Sequence, residues 1–274
     1  MTVDLKGRVA VVTGASRGLG RAMAMGLAEA NGRVVLAARE SEDLRAAAAE
    51  IAARAGADRV LAVAADITDQ ADCQRVVSET LARFGELDVL INNARRPHRG
   101  PGLPSDDHSV PFWQFDPEVW MDIMRVNVGG PFMLARAVVP HLIHKGWGRI
   151  INLSTNIDTM QRPHNSPYGV SKAAVEAATL IWAGDLKETG VTVNTILPGG
   201  ACATELLRLA EANGRSGKLL PVDVMNPLAV WLASDLSDGK SGGRYVARFW
   251  DASLPADQAA ARCLEAPVLR APIR

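Results

Sequence analysis

Val9-Ala10-Val11-Val12-Thr13-Gly14-Ala15-Ser16-Arg17-Gly18-Leu19-Gly20 is an apolar, β-branched run that breaks at glycine and continues, through Arg21 to Glu29, with helical period. A run that is apolar throughout fits a strand covered on both faces by helices. Glycines at 14, 18 and 20 permit a tight turn and let backbone N–H groups approach a pyrophosphate, whose charge is favoured at a helix N-terminus. The stretch therefore predicts a strand, a phosphate-binding turn and a helix.

Working outward, similar short runs alternate with longer Ala-rich segments: Val34 to Leu36, Val60 to Val63, Val89 to Ile91, Ile150 to Leu153, Val191 to Leu197 and a weaker Tyr245 to Phe249. That alternation is the mark of βαβ units around a parallel sheet. The expected fold is α/β, a doubly wound parallel sheet of about seven strands, with the ligand at the carboxyl ends of the strands. No Pro/Gly/Ser-rich linker divides the 274 residues, so one domain over 1–274 is expected.

Composition narrows the function classes. Lys plus Arg equals Asp plus Glu, at 30 each, so no net field attracts nucleic acid or an anionic membrane, and small-molecule chemistry is favoured. The start, Met1 to Lys6, lacks an apolar signal core, and no apolar run approaches the roughly 18 to 20 residues that span a bilayer. A cytoplasmic protein is expected. Cys73, Cys202 and Cys263 are unpatterned and read as three thiols. His141 with His144, and Asp106-Asp107-His108, have spacings that permit ligation but lack a matched partner set, so no metal is expected.

Three further pieces follow the glycine turn in order: Asn92-Asn93-Ala94, Asn127, and Tyr168-Gly169-Val170-Ser171-Lys172. Tyr168 and Lys172 are four apart on a predicted helix running to about Thr189, so they share a face. A free tyrosine, with a pKa of about 10, is a poor base at neutral pH, and a nearby ammonium favours its phenolate. With these pieces the chain, from about Leu5 to Asp251, resembles the short-chain dehydrogenase/reductase family, whose Rossmann-type domain carries a glycine turn of the form G-x-x-x-G-x-G.

The resemblance implies a nicotinamide-dependent oxidoreductase that interconverts a ketone or aldehyde and an alcohol. It gives Tyr168 the acid/base role, makes Lys172 its activator and the holder of the nicotinamide ribose, and makes Asn127 the anchor of a relay water held by its side chain and backbone. The family's substrate-binding serine falls on Thr155, with Ser154 just before it as the alternative. Gly14, Ser16, Arg17, Gly18, Leu19 and Gly20 would hold the pyrophosphate end of the cofactor, Asp66 and Ile67 the adenine, and Asn93 and Ala94 a ribose. Pro198, Gly199, Ala201 and Thr204 would lie along the nicotinamide, with Thr204 one residue later than the usual spacing. Ala38 stands where an acid would accept bonds from a ribose 2′-OH, and Arg17 and Arg39 suit a 2′-phosphate, so NADP(H) is expected rather than NAD(H).

Two rival readings share the fold. One is a catalytically silent NADP(H)-binding regulator, which would have no need of Tyr168 and Lys172 at this spacing. The other is enoyl reduction, which in related enzymes uses a wider spacing. Departures from the family concern the substrate side. Arg95 replaces a customary glycine and leads into a Pro-rich loop, 95–117, that also carries Arg96, His98, Arg99, Phe112, Trp113 and Phe115. Its arginines either meet an anionic substrate or are simply solvated. The lid stretch from Glu205 to Val222 is short, and the tail at 252–274 either packs on a neighbouring subunit or frays. Pro131 to Lys145 and Tyr168 to Thr189 resemble family subunit contacts, so a homodimer or homotetramer acting on a small molecule is expected.

Overall fold

The computed structural model describes residues 3–96, 111–204 and 219–268. The expected βαβ alternation forms a doubly wound sheet. Its strands are β1 (Val9–Thr13), β2 (Arg33–Ala38), β3 (Val60–Ala64), β4 (Val89–Asn92), β5 (Gly148–Leu153), β6 (Val191–Leu197), β7 (Arg244–Val246) and β8 (Leu264–Glu265). They lie in the order β3-β2-β1-β4-β5-β6-β7-β8. All neighbours are parallel except β7 and β8, where Tyr245 opposes Leu264 in antiparallel register.

Helices cover both faces, which is why β1 and β6 can be apolar or buried along their whole length. On one face α1 (Gly18–Glu29), α2 (Glu42–Ala55), α8 (Asn226–Leu232) and α9 (Ala256–Cys263) pack Met23, Leu27, Leu44, Ile51 and Trp231 against alternate strand residues such as Val12 and Leu36. On the other, α3 (Gln70–Phe84) and α5 (Gly130–Lys145) pack Val76, Leu134 and Val138 against Val11 and Val35. Each such fully buried side chain contributes on the order of 1.5–3 kcal/mol.

Local sequence sets the helix ends. The Ser41 hydroxyl caps α2 by accepting from the Leu44 N–H at 3.2 Å, and the Asp69 carboxylate caps α3 by accepting from the Asp72 N–H at 2.9 Å. Helix α1 starts at Arg17 with no side-chain cap. Its first-turn N–H groups are therefore available to an anion.

The structure amends several expectations. The sheet has eight strands rather than about seven, because the tail turns back: α9 buries Ala259, Ala260 and Cys263, and β8 extends the sheet edge. The run to Phe249 leaves the sheet at Val246 and continues as a 3-10 turn, Ala247–Phe249. After the short α6 (Ile157–Met160), helix α7 spans Ser166–Asp185, ending before Thr189. One helix, the 29 residues Pro117–Lys145, is long and apolar enough to cross a membrane by length and mean composition, although Glu118, Asp122, Arg125 and Arg136 interrupt it, so it holds no continuous apolar run of that length. That helix comprises α4 (Pro117–Met124), a π-turn at Arg125–Gly129 and α5, and its α5 part buries Leu134, Ala135, Val138 and Leu142 in the core. Of the 95–117 loop, a 3-10 turn at Phe112–Gln114 is described, and 97–110, with His98, Arg99 and Asp106-Asp107-His108, lies outside the described residues. So do 205–218 of the lid stretch, whose near end is tied by a bridge between Cys202 and Leu220.

Candidate active site

Residues that follow the carboxyl ends of β1, β4, β5 and β6 converge, as expected where strand order reverses between β1 and β4. The glycine turn is built for close backbone approach. Gly14 has φ 63°, and a Cβ there would lie 2.8 Å from the Ala94 Cα. A Cβ at Gly20 would lie 2.4 Å from both the Gly14 carbonyl oxygen and the Asn93 Nδ2. The uncapped α1 and the glycines of this turn form a cradle that fits a dinucleotide pyrophosphate. Thr204 stands beside it, its Cγ2 3.5 Å from where a Gly18 Cβ would be. A cavity of about 460 Å³ runs from Arg17, Gly18 and Thr204 along α1 to Arg54 and Asn226.

Thr13 and Asn93 hold the turn. The Thr13 hydroxyl accepts from the N–H groups of Asn93 (3.0 Å) and Ala94 (2.9 Å), while the Asn93 amide donates to the carbonyls of Thr13 (2.7 Å) and Gly14 (3.2 Å). Asn93, expected along a ribose, thus has its side-chain amide engaged in bracing β1 against β4. At the end of β3, Ile67 is buried against Gly130, and the exposed Asp66 accepts from the Thr68 N–H and hydroxyl. Ser16 and Leu19 are half-buried in the turn, and Ala38 is buried at the end of β2. Arg17 and Arg39 are both exposed, and neither forms an ion pair among the described residues.

Beyond β6, Gly199 adopts φ 89°, and Arg248 holds the turn by donating its N–H to Pro198 O (3.1 Å) and its guanidinium to Gly199 O (3.0 Å). Ala201 accepts from the Leu220 N–H at 2.8 Å, which fixes the approach to Thr204. Sequence reasoning missed Arg248, since nothing in its own neighbourhood marks it.

On α7, Tyr168 is half-buried and Lys172 is 3 % exposed. The Lys172 Nζ lies 5.9 Å from the Tyr168 ring centroid and donates to Leu153 O at 2.8 Å. Burial pushes the Lys172 ammonium down to about 7; the charge of Arg95 lowers it further and Glu176 opposes the shift. The Asn152 amide, at the end of β5, donates to the Thr179 hydroxyl at 2.9 Å, fixing α7 on the sheet.

The two hydroxyls after β5 have different surroundings. The Ser154 hydroxyl is buried and donates to the Glu176 carboxylate at 2.5 Å. Glu176 in turn pairs with Arg244 at 3.0 Å, both side chains about as buried as the core, and Arg244 also donates to Thr155 O at 2.9 Å and pairs with Glu265. Thr155 is half-buried. Glu176 was within reach of sequence reasoning, standing four residues beyond Lys172 as Lys172 stands four beyond Tyr168. Arg244, on β7, was not.

Asn127 sits in the π-turn between α4 and α5, 1 % exposed. Its side chain, expected with its backbone to anchor a water, makes three protein contacts. Its carbonyl accepts from the Arg96 N–H at 2.7 Å and its amide donates to the Ser171 hydroxyl at 3.1 Å, which donates to Tyr168 O at 2.8 Å. Asn127 therefore ties the loop after β4 to the helix that carries Tyr168. Ser171 is a second residue that sequence reasoning missed. Among the described residues there is no group of three or more His, Cys, Asp or Glu that could hold a metal, and His141 and His144 are exposed. The three cysteines are buried thiols, each pushed up to about 11 by burial.

Fold and site define a class: doubly wound α/β proteins with a glycine cradle after the first strand and a Tyr-x-x-x-Lys helix beside it. The sequence profile described as short chain dehydrogenase matches residues 8–213, and the chain belongs to that family of oxidoreductases. It is 31% identical over 242 residues to the 3-oxoacyl-[acyl-carrier-protein] reductase of Escherichia coli, covering 85% of this chain and 92% of the relative. It is 37% identical over 201 residues to the 2-(R)-hydroxypropyl-CoM dehydrogenase of Xanthobacter autotrophicus, covering 70% and 74%. Among solved structures, a Shigella flexneri family protein complexed with NADP superposes with TM-score 0.77 at 28% identity over 90% of this chain and 98% of its own. The 3-ketoacyl-(acyl-carrier-protein) reductase of Brucella melitensis complexed with NADH gives 0.76 at 29% over 88% and 96%. Both carry a nicotinamide dinucleotide on this scaffold.

Proposed function

We propose that the protein is an NADP(H)-dependent oxidoreductase interconverting a ketone or aldehyde and an alcohol. The observation that carries this reading is the buried Lys172 ammonium 5.9 Å from the Tyr168 ring, held by the carbonyl of Leu153 just before the two candidate hydroxyls. A bound nicotinamide dinucleotide supplies two-electron hydride transfer. Gly14, Gly18 and Gly20 with the α1 N-terminus would hold its pyrophosphate, and Lys172 its nicotinamide ribose.

Tyr168 supplies the proton. In reduction its hydroxyl donates to the carbonyl oxygen, and in oxidation its phenolate takes the proton from the alcohol. A cation near the ring favours the phenolate, so Lys172 lowers the cost of that exchange. Thr155 is the hydroxyl that hydrogen-bonds the reacting oxygen, because Ser154 is engaged by Glu176. Asn127 is a positioning residue through Arg96 and Ser171, and its side chain and backbone are the relay-water anchor of this reading.

Arg17 and Arg39, exposed and without an ion pair among the described residues, with Ala38 in place of an acid, support NADP(H) over NAD(H). The protein is proposed as one nucleotide-binding domain, cytoplasmic and acting on a small molecule. The test combines NADPH and NADH titration with turnover over a ketone panel. NADPH binding and carbonyl reduction that Tyr168→Phe abolishes support the reading, and Arg17→Ala with Arg39→Ala weakens NADPH binding by about 10- to 100-fold. Tight binding without turnover over the whole panel refutes it in favour of a silent binder. Preference for NADH refutes the cofactor assignment.

A further inference from the structure

Arg95 follows Ala94, whose N–H is fixed by the Thr13 hydroxyl at 2.9 Å, and precedes Arg96, whose N–H is fixed by Asn127 Oδ1 at 2.7 Å. Its backbone is therefore pinned on both sides at the mouth of the site. From there its guanidinium carbon reaches to 5.7 Å from the Tyr168 ring centroid, while Lys172 lies 5.9 Å from the same ring. Two cations flank one phenol.

The adjacent arginines have divided roles. Arg96 pairs with Asp122, which also meets Arg125 at 3.5 Å. Arg95 is exposed and meets no carboxylate at ion-pair distance among the described residues. Its charge acts on the buried Lys172, lowering that ammonium's pKa. An anion bound at Arg95 would offset this repulsion, and a guanidinium fork matches a carboxylate in two parallel hydrogen bonds.

We propose that Arg95 is a substrate-recognition residue that binds a carboxylate carried a few bonds from the reacting carbonyl, so that the substrates are short oxo acids and the corresponding hydroxy acids. This rests on the oxidoreductase reading and goes beyond it in naming the substrate class. In reduction the acid is held at Arg95 while Tyr168 protonates the ketone oxygen; carbonyl carbon is reduced, nicotinamide is oxidised, and the carboxylate itself is unchanged.

The test compares kcat/KM for short 2-oxo and 3-oxo acids with that for their methyl esters, using NADPH and the parent, Arg95→Ala, Arg95→Lys and Tyr168→Phe proteins. The parent is expected to prefer the acids. Arg95→Ala lowers the acid-to-ester ratio by about 10- to 100-fold, chiefly through KM, and Arg95→Lys restores part of it. Removal of Arg95 also moves the alkaline limb of the pH profile upward, since Lys172 acts as the ammonium and one charge that depresses its pKa is gone. A shifted profile with an unchanged acid-to-ester ratio overturns the proposal and leaves Arg95 as a charge acting on Lys172. Tyr168-dependent reduction of esters and neutral ketones without preference for acids overturns the proposal while leaving the oxidoreductase reading intact. Absence of turnover with every compound overturns both.

Discussion

At the scale of one residue, the feature with the largest consequence is a lysine buried where its charge is costly. Burial lowers the Lys172 pKa to about 7 in the folded protein against an ordinary 10.5. Between those values the unfolded chain holds a proton that the folded chain lacks, so stability rises with pH across that window and the full penalty is present below about pH 7. Lys172→Met removes the penalty together with the bond to Leu153 O. The cofactor-free variant is therefore expected to be more stable than the parent at pH 7 by on the order of 1–3 kcal/mol while losing turnover. Thermal melts at pH 7 and pH 9.5 test this: the parent's advantage from raising the pH should disappear in the variant. A variant that melts lower than the parent at pH 7 would mean that the ammonium is a net contributor to the fold. The Tyr168–Lys172 spacing was legible in the chain because helical period is local. The role of Asn127 was only partly so, because its partners, Arg96 and Ser171, come from two other segments.

At the scale of the element, α7 is joined to β7 by a buried ion pair that no short-range pattern announced. Arg244 and Glu176 are 68 residues apart and meet at 3.0 Å. Their pair fixes Ser154 through its hydroxyl and Thr155 through its carbonyl, so the end of β5 takes its shape from a strand and a helix on either side. This also gives the two hydroxyls different surroundings. Both were visible in sequence, but the carboxylate that engages Ser154 lies one helix away. Truncating one member of a buried pair leaves the other uncompensated, whereas replacing both with apolar residues is often nearly neutral. Arg244→Met is expected to cost about 3–5 kcal/mol, and adding Glu176→Leu should recover most of it, read as denaturant midpoints. If the double variant is no more stable than Arg244→Met, the hydrogen bonds to Ser154 and Thr155, rather than charge pairing, are what hold this corner. The glycine cradle was legible for the opposite reason: Gly14 to Gly20 lies within one strand–helix unit, and its glycines announce backbone proximity directly.

At the scale of the whole molecule, the sheet order followed from alternation, but its eighth strand did not. Leu264–Glu265 is too short to carry a period, and it forms because Trp231 donates to Asp257 at 2.7 Å and α9 buries Ala259, Ala260 and Cys263. The tail's first part is thus held by its own chain, and the outer helices are what is left for a neighbour. Met121, Phe132, Val170 and Ile181 stand exposed on α4, α5 and α7, with Ile181 at 62%. Helices α4 and α7 pack together, and Phe132 on α5 with Val170 and Ile181 on α7 lie in the stretches that resemble the family's subunit contacts. A second copy of the chain is the expected occupant. Phe132→Asp combined with Ile181→Lys places two desolvated charges in such an interface and should lower the assembly state by light scattering, with secondary structure retained in circular dichroism. Because both substitutions lie outside the Tyr168 and glycine-cradle sites, NADPH affinity separates loss of assembly from loss of fold. A parent protein that is monomeric at micromolar concentration, or a variant whose assembly state is unaltered, would exclude this face as the subunit contact.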